Sequence, residues 1–382
     1  EGESARVEKM VTLFTGRDQA VSSPAAEACT MVHRLQGYDE HLTEHILAWG
    51  RLWRDSGLAT EQDLYTERVL NLYLFHLFQT VSENTQELDV GVPARGLHGE
   101  AYRGHIFWDE LFVFPILNYR VPELTRALIG YRYRRLREAR AAAEAQGYRG
   151  AMFPWQSGSN GREETQTWHL NPKSGRWIPD NSHLQRHVNI AIPFNVWSYY
   201  ETTGDLEFLA AYGAELIIEC ARFWASLVTL NDATQRYEIL KVMGPDEYHE
   251  AYPDADEPGL DNSAYNNVMA SWVLCRALEV LDLVPGRRKE DLVDILRLTR
   301  AEMDEWDRIS RRLKIPFHEV DGREAGGGSG NGRVISQFDG YDELEEFDWE
   351  GYKEKYEDIQ RLDRILEYEG DTPNRYKVSK QA

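Results

Sequence analysis

The sequence is poor in cysteine. Cys29, Cys220 and Cys275 are the only three among 382 residues, and no Cys-x-x-Cys pair occurs. Two of them lie on apolar faces of predicted helices, and an odd number without such a pair favours buried free thiols over disulfides. Free thiols indicate a reducing compartment, so a cytoplasmic location is predicted.

Basic residues are also scarce. Lys and Arg total 43 against 64 Asp and Glu, which gives a net charge of −21. This balance argues against nucleic acid and anionic membrane surfaces as partners, because phosphate groups require net positive charge on the binding face. A local basic pocket for a small anion stays open. No apolar run approaches the length of a membrane span.

Several catalytic motifs are absent. The chain contains no Gly-x-Ser-x-Gly, no phosphate-binding P-loop and no Gly-x-Gly-x-x-Gly that opens a helix after a strand. Serine nucleophiles and dinucleotide binding therefore have no support. Aromatic residues are abundant instead, with 11 Trp and 20 Tyr. Flat rings suit a carbohydrate cleft, although cores and interfaces also use them.

Helical periodicity dominates from Ser23 onward. Leu42, Ile46, Trp49 and Trp53 recur at spacings that place them on one helix face. Roughly nine or ten helices of this kind, joined mostly by short links, predict an all-α layered or toroidal domain. A helix at Leu70–Phe78 is expected to be buried on most sides, and 122–147 to be a solvated outer helix. Further helices are predicted at 183–203, 205–228, 261–281, 289–310 and 350–368.

Long polar loops separate some of these helices, and loops of such length in a compact domain are usually functional. The most distinctive stretch is Val242–His249, which carries Asp246, Glu247 and His249 behind a Gly-Pro pair. Turns of this composition often only reverse the chain, but they can also present carboxyl groups to a cleft. Two other loops, 102–110 and 153–180, combine tryptophan with acidic residues.

Structural alternatives exist for the candidates in these loops. Trp108 and Trp155 could be core residues, and Asp109 could cap the helix that follows it. His183 and His187 have the spacing of two metal ligands on one helix face. No Glu of the His-Glu-x-x-His type and no clear third ligand accompany them, so no metal is predicted. A helical domain with carboxylate- and tryptophan-rich loops is typical of inverting sugar enzymes.

Five motifs in order resemble glycoside hydrolase family 65, which holds the maltose, trehalose and kojibiose phosphorylases. They are GHIFWDE at 104–110, MFPWQS at 152–157, MGPDEYH at 243–249, AYNN at 264–267 and RYKVSKQA at 375–382. The resemblance covers essentially all of 24–382. It implies an (α/α)6 barrel, a helical toroid, at 59–382 that lacks its last helices. A helical linker at 24–58 and a short β remnant of an upstream β-sandwich at 1–23 would precede the barrel.

The resemblance also implies roles for individual residues. Glu247 resembles the general acid, a carboxyl group that protonates the glycosidic oxygen. Its neighbour Asp246 is expected to favour the protonated form by charge repulsion. Trp108 and Asp109 resemble the contacts to the donor glucose. The remaining candidates for substrate binding are Lys380 and Gln381 on the other side of that glucose, Trp155, Gln156 and Glu164 in the pocket wall, and Asp246 and His249 beside the acid.

The reaction implied by the family is inverting phosphorolysis of an α-glucosidic disaccharide to β-glucose 1-phosphate. Inorganic phosphate is the co-substrate and nucleophile, and no cofactor is expected. Family hydrolases use a second carboxylate and water instead. The resemblance places that base, and the phosphate-binding residues, beyond Ala382. Hydrolysis and a non-catalytic sugar-binding role therefore remain alternatives, and a homodimer is expected only from the family.

Overall fold

The computed structural model of the chain describes residues 5–61, 63–97, 99, 102–320 and 332–380. Within these residues helices dominate, as the periodicity predicts. The α-helices are α1 Pro24–Arg34, α2 Tyr38–Ser56, α3 Leu64–Thr80, α4 Glu110–Arg120, α5 Pro122–Tyr133, α6 Leu136–Ala145, α7 Val188–Thr203, α8 Leu206–Phe208, α9 Ala214–Leu227, α10 Ala264–Leu283, α11 Gly286–Leu296, α12 Arg300–Ser310, α13 Trp349–Lys355 and α14 Leu362–Glu369.

The strands that the structure describes form only three short antiparallel hairpins, all in the loops between helices. They pair β1 Trp168–Leu170 with β2 Trp177–Pro179, β3 Thr229–Asn231 with β4 Arg236–Glu238, and β5 Phe317–Val320 with β6 Gly332–Ile335. Residues 5–23 contain no strand. Val7 and Leu13 are 92% and 86% exposed, so the predicted β remnant is not formed there. Apolar residues alone do not make a strand without a neighbour to pair with.

The core is built around α7. Nearly every residue from Val188 to Trp197 is buried, because this helix is apolar on all sides and packs against α4, α5, α9 and α10. A helix that is hydrophobic all round requires neighbours all round. On the far side, α9 and α10 pack with α12. These helices therefore form a central layer, and the loops that connect them lie beyond the helix ends.

Two burial predictions are wrong. The helix containing Leu70–Phe78 is α3, of which only Leu74 and Phe78 are buried, while Leu72 and Tyr73 are 50% and 66% exposed. The predicted solvated helix at 122–147 is two helices. Its first half, α5, buries six residues because it packs against α4 and α7. Composition describes which surface a helix could bury, whereas the neighbours decide which surface it does bury.

Two other predicted helices are interrupted. The segment 289–310 divides into α11 and α12 at Arg297, which has a left-handed φ of 51°. The segment 350–368 divides into α13 and α14. All three cysteines are free thiols, as predicted, but only Cys220 is buried, whereas Cys29 and Cys275 are exposed. No helix within the described residues is both long enough and apolar enough to cross a membrane.

Candidate active site

One cleft of about 700 Å³ collects residues from five separate segments between or after the helices. Its wall contains six of the ten predicted site residues: Trp108, Asp109, Trp155, Gln156, Glu247 and Lys380. Other lining side chains were not singled out by sequence: Arg95, Tyr102, Arg103, Phe107, Thr165, Gln166, Asp180, Ser182, Gln185 and Arg361. Loops that are far apart in sequence therefore meet at one place, which is where pockets for small molecules usually form.

Glu247 is held in the cleft by the segment that ends the described chain. Its backbone N–H donates to the carbonyl of Lys380 at 2.9 Å. Its Oε2 lies 2.8 Å from the Lys380 Nζ, and the two side chains remain 26% and 34% exposed. The backbone hydrogen bond to Lys380 thus fixes the position of Glu247, and the Lys380 side chain pairs with its carboxyl group. The carboxyl group is still accessible from the cleft. Gln381 lies outside the described residues.

Asp246 turns away from this cleft. Its Oδ1 accepts from the backbone N–H of Lys380 at 2.9 Å and of Tyr248 at 3.1 Å. Its Oδ2 accepts from Gln337 Nε2 at 2.5 Å and contacts His249 Nδ1. The carboxylate is therefore fully occupied in tying the acidic turn to the 376–380 segment, and it lines a separate cavity of about 180 Å³.

His249 is also a structural connector in this arrangement. It is fully buried, and its Nε2 lies 2.8 Å from the carbonyl oxygen of Tyr376. The imidazole thus bridges Asp246 and a chain segment more than a hundred residues away. A structural role agrees with this position, and His249 does not line the cleft.

The start of the acidic turn is seated on the N-terminus of α10. The Asn266 side-chain amide donates to the carbonyl of Met243 at 3.1 Å. A Cβ at Gly244 would lie 2.6 Å from the Oγ of Ser263, the N-cap residue of α10. Only glycine permits this approach without displacement. The Gly-Pro pair therefore serves close packing, and it sets where Glu247 enters the cleft.

Asp109 occupies the N-cap position of α4, but its side chain makes no capping hydrogen bond. The helix-cap alternative is therefore wrong. Burial raises the pKa of this carboxyl group to about 6, and the nearby charges of Glu110 and Glu247 act in the same direction. A hydrogen bond from the backbone N–H of Asp109 itself and the charge of Arg95 act in the opposite direction. A partly buried carboxyl group that no other residue's side chain hydrogen-bonds suits a sugar hydroxyl as its partner.

Trp108 and Trp155 are both core residues and cleft residues. They are 7% and 5% exposed, and both line the cleft. His187, directly behind them, packs at 4.4 Å from Trp108 and 4.7 Å from Trp155 between ring centroids. Burial lowers the pKa of His187 to about 3, so its ring is neutral. Within the described residues His183 and His187 gather no third ligand into a metal-binding cluster.

Glu164 lies beside the cleft without lining it. Its carbonyl oxygen accepts from the Arg103 guanidinium at 2.7 Å. The preceding residue, Glu163, has the more direct effect, because its carboxylate accepts from the backbone N–H of Trp155 at 2.8 Å and of Gln156 at 3.1 Å. Sequence gave no reason to prefer Glu163, since either of two adjacent glutamates could turn inward.

A buried ion pair supports the other wall. Arg132 on α5 contacts Glu110 at 2.9 Å and donates to the carbonyl of Phe107 at 2.7 Å. Both side chains are at most 3% exposed. The pair fixes the backbone directly before Trp108 and Asp109. It was missed because Arg132 lies in a segment whose composition suggested a solvated face.

Asp180 is a third carboxyl group in the cleft. Burial would raise its pKa, but hydrogen bonds from His169, Ser182 and Gln166 outweigh burial and lower the pKa to about 2. The Ser182 backbone N–H donates to it at 3.0 Å and the Gln166 amide at 3.2 Å. Asp180 is therefore a fixed anion, in contrast to Asp109.

A helical fold whose loops build a cleft of carboxyl groups and tryptophans defines a class, the helical carbohydrate-active enzymes. Comparison with known protein families shows which family within this class the chain matches. Residues 71–382 match the central catalytic domain of glycosyl hydrolase family 65, and residues 1–52 match the N-terminal domain of the same family. The chain belongs to glycosyl hydrolase family 65.

Curated relatives agree. The chain is 50% identical over 381 residues to an uncharacterized glycosyl hydrolase of Mycobacterium tuberculosis, covering all of this chain and 28% of that protein. It is 40% identical to the trehalose 6-phosphate phosphorylase of Lactococcus lactis, over 87% of this chain and 40% of the relative. The kojibiose phosphorylase of Caldanaerobacter subterraneus is 34% identical, over 91% and 43%. The chain thus spans less than half the length of each.

A solved structure has the same fold. A putative kojibiose phosphorylase from the human microbiome superimposes with a TM-score of 0.75 at 21% identity, over 94% of this chain and 48% of that one. Together with the match to the catalytic domain, this confirms the predicted all-α class and the (α/α)6-barrel architecture.

Proposed function

We propose that the protein carrying this chain catalyses inverting phosphorolysis of an α-glucosidic disaccharide of the trehalose, maltose or kojibiose type, with β-glucose 1-phosphate as one product. The observation that supports this most is the meeting of Glu247 with Trp108 and Asp109 in one cleft. An accessible carboxyl group thereby faces an aromatic surface and a hydroxyl acceptor. These are the elements that glycosyl transfer requires.

In this mechanism the donor glucose lies against Trp108 and hydrogen-bonds to Asp109. Glu247 gives its proton to the glycosidic oxygen as the bond from that oxygen to C1 breaks, and the leaving sugar departs with the proton. A phosphate oxygen attacks C1 from the opposite face and forms the new bond, which inverts the configuration. Phosphate already carries charge, so no catalytic base is needed.

Lys380 lies directly beside the proposed acid. Its Nζ is 2.8 Å from the Glu247 Oε2, and both groups line the cleft. Binding of the donor glucose should draw this ammonium toward sugar hydroxyls, so Lys380 contributes to substrate binding next to the acid.

The names of the relatives support phosphorolysis, since trehalose 6-phosphate and kojibiose phosphorylases occur among them. The test is an assay of the enzyme with and without inorganic phosphate. Release of β-glucose 1-phosphate that depends on phosphate is expected. Equal release of glucose in both conditions would contradict the proposal and favour an inverting hydrolase.

The role of Glu247 is tested by Glu247→Gln, which keeps the shape and removes the proton. Turnover of an unactivated disaccharide should fall roughly 10²–10⁴-fold, the usual contribution of general acid catalysis. Glu257→Gln is a matched control in the same loop, because that exposed carboxylate pairs with Lys241 outside the cleft. Near-normal turnover by Glu247→Gln would refute the assignment. Calorimetric binding of sugars without turnover in the unaltered enzyme would favour a sugar-binding role.

A further inference from the structure

Three glutamine side chains line the cleft, and they differ in their hydrogen bonds. The Nε2 of Gln156 lies 2.7 Å from the Nδ1 of His105, and Gln166 donates to Asp180 at 3.2 Å. The side chain of Gln185, in contrast, has no hydrogen-bond partner among the described residues, and its Oε1 is buried. The described wall of the cleft therefore contains an amide group that the surrounding side chains and backbone do not pair.

The burial of Gln185 makes this lack of a partner unusual. Only 3% of the residue is exposed. Buried amide groups in proteins are almost always hydrogen-bonded, because bulk water cannot reach them to replace a missing partner. An unpaired amide at such a position lowers the free energy of unfolding unless a ligand supplies the partner. The amide thus resembles the Asp109 carboxyl group of the same cleft, which no other residue's side chain hydrogen-bonds.

Backbone contacts on one side tie Gln185 to the loop that carries Glu247. The Gln185 N–H donates to the carbonyl of Ser182 at 3.0 Å. Gln185 also forms a parallel β-bridge with Met243, where the Met243 N–H donates to the carbonyl of Leu184 at 3.2 Å. Met243 directly precedes the Gly-Pro pair of the acidic turn. The position of the Gln185 backbone is therefore fixed relative to this turn.

On the other side, His187 ties the same segment to the tryptophan wall. Its ring packs against Trp108 and Trp155, and its carbonyl accepts from the Ala191 N–H at 3.0 Å in the first turn of α7. His187 is fully buried, so this segment cannot shift without displacing the tryptophans. Gln185, two residues earlier in the chain, is thus held between the tryptophans and the acidic turn.

We propose that the side-chain amide of Gln185 hydrogen-bonds to a hydroxyl group of the sugar that lies against Trp108, and that it selects sugars carrying this hydroxyl. The proposal rests on the proposed function, since it names a further binding residue for the same reaction. Gln185 and Trp108 are both buried at the cleft wall, at 3% and 7% exposure. An amide donates and accepts, as does a hydroxyl. A ligand without this hydroxyl would leave the amide unpaired and bind more weakly.

The experiment is calorimetric titration of the protein carrying this chain with glucose and its 2-, 3-, 4- and 6-deoxy analogues. Gln185→Met replaces the amide by an apolar side chain of similar length, and it should weaken glucose binding about three- to tenfold. One deoxy analogue should bind the variant and the unaltered protein almost equally, because that analogue already lacks the hydroxyl that the amide binds. This difference is a coupling between one side chain and one hydroxyl.

Two further variants and a stability measurement separate binding from structure. Gln185→Ala should lose the same coupling to the same hydroxyl, so the result does not depend on how methionine fits. Gln79→Met is the matched control, because Gln79 is exposed on α3 outside the cleft, and it should bind every sugar like the unaltered protein. The melting temperature of Gln185→Met should be equal or higher, since an unpaired buried amide is removed.

An equal loss of affinity for glucose and for every deoxy analogue would overturn the proposal, because Gln185 would then only shape the pocket. Unchanged affinity for glucose in Gln185→Met would also overturn it. The titration requires neither phosphate nor turnover. A coupling found in a protein that forms no β-glucose 1-phosphate would leave this inference standing while the proposed function failed. Phosphate-dependent turnover without any coupling would have the reverse meaning.

Discussion

Replacement of Asp109 by Asn should stabilise the protein while it impairs the cleft. The pKa of this carboxyl group rises from its ordinary 3.8 to about 6 on folding, chiefly through burial. Such a difference corresponds to at most about 3 kcal/mol of unfolding free energy. Asn keeps the size and polarity of the side chain and has no proton to lose. At pH 8 we therefore expect Asp109→Asn to be about 1–3 kcal/mol more stable than the unaltered protein.

The pH dependence of this gain identifies its cause. Between pH 3.8 and 6 the unfolded chain gives up the Asp109 proton more readily than the folded chain, so this residue reduces stability as pH rises through that window. Well below pH 3.8 the carboxyl group is protonated in both states, and the variant should gain little. The gain should therefore appear between pH 4 and 7.

Urea denaturation of both proteins at pH 4, 6 and 8 measures this difference. Asp256→Asn serves as the control, because Asp256 is exposed in a loop. Its stability should match that of the unaltered protein at every pH. If Asp109→Asn shows the same difference at pH 4 and pH 8, or loses stability at pH 8, the argument from burial is refuted. A gain in stability with weaker sugar binding would show the cost of holding a carboxyl group ready for substrate.

Three further predictions concern the walls of the cleft. Asp180→Asn should lower the free energy of unfolding at pH 7 by up to about 2 kcal/mol in urea denaturation, because hydrogen bonds hold the Asp180 pKa at about 2 despite burial. This loss should vanish as the pH falls from 3.8 toward 2. Glu163→Ala should raise the KM for the disaccharide and lower the melting temperature, because the backbone N–H groups of Trp155 and Gln156 lose their acceptor. An unchanged KM would contradict the role of Glu163 in positioning these two residues. Gly244→Ala should cost about 1–3 kcal/mol, because the new Cβ would lie 2.6 Å from Ser263 Oγ. That cost should be smaller in a Ser263→Ala background, and equal costs in a double-mutant cycle would refute the clash.

The comparison between pattern and structure is clearest in the acidic turn. Sequence placed Asp246, Glu247 and His249 together as candidates, and only Glu247 lines the cleft. Adjacent residues in a turn point in different directions, and a motif does not specify which of them faces solvent. Asp246 and His249 are instead fixed by contacts with Gln337 and the 376–380 segment, which no local pattern predicts.

The helices show the same division. The periodic apolar residues of α2 identified this helix from sequence, because the helical repeat is a local property of the chain. The exposure of α3 and the burial of α5 depended on neighbours, and both predictions were wrong. The capping role suggested for Asp109 was also wrong, since the side chain of an N-cap residue can point into a cleft instead.

The sequence by itself determined the helical class, the family and the loop that carries Glu247. Each of these is encoded in residues close together in the chain, as spacing, as composition or as a short motif. The tertiary structure decided that Lys380 pairs with Glu247, and that Glu163 and Arg132 fix the backbone of the cleft walls. These features are contacts between distant segments, and folding alone brings such segments within hydrogen-bond distance.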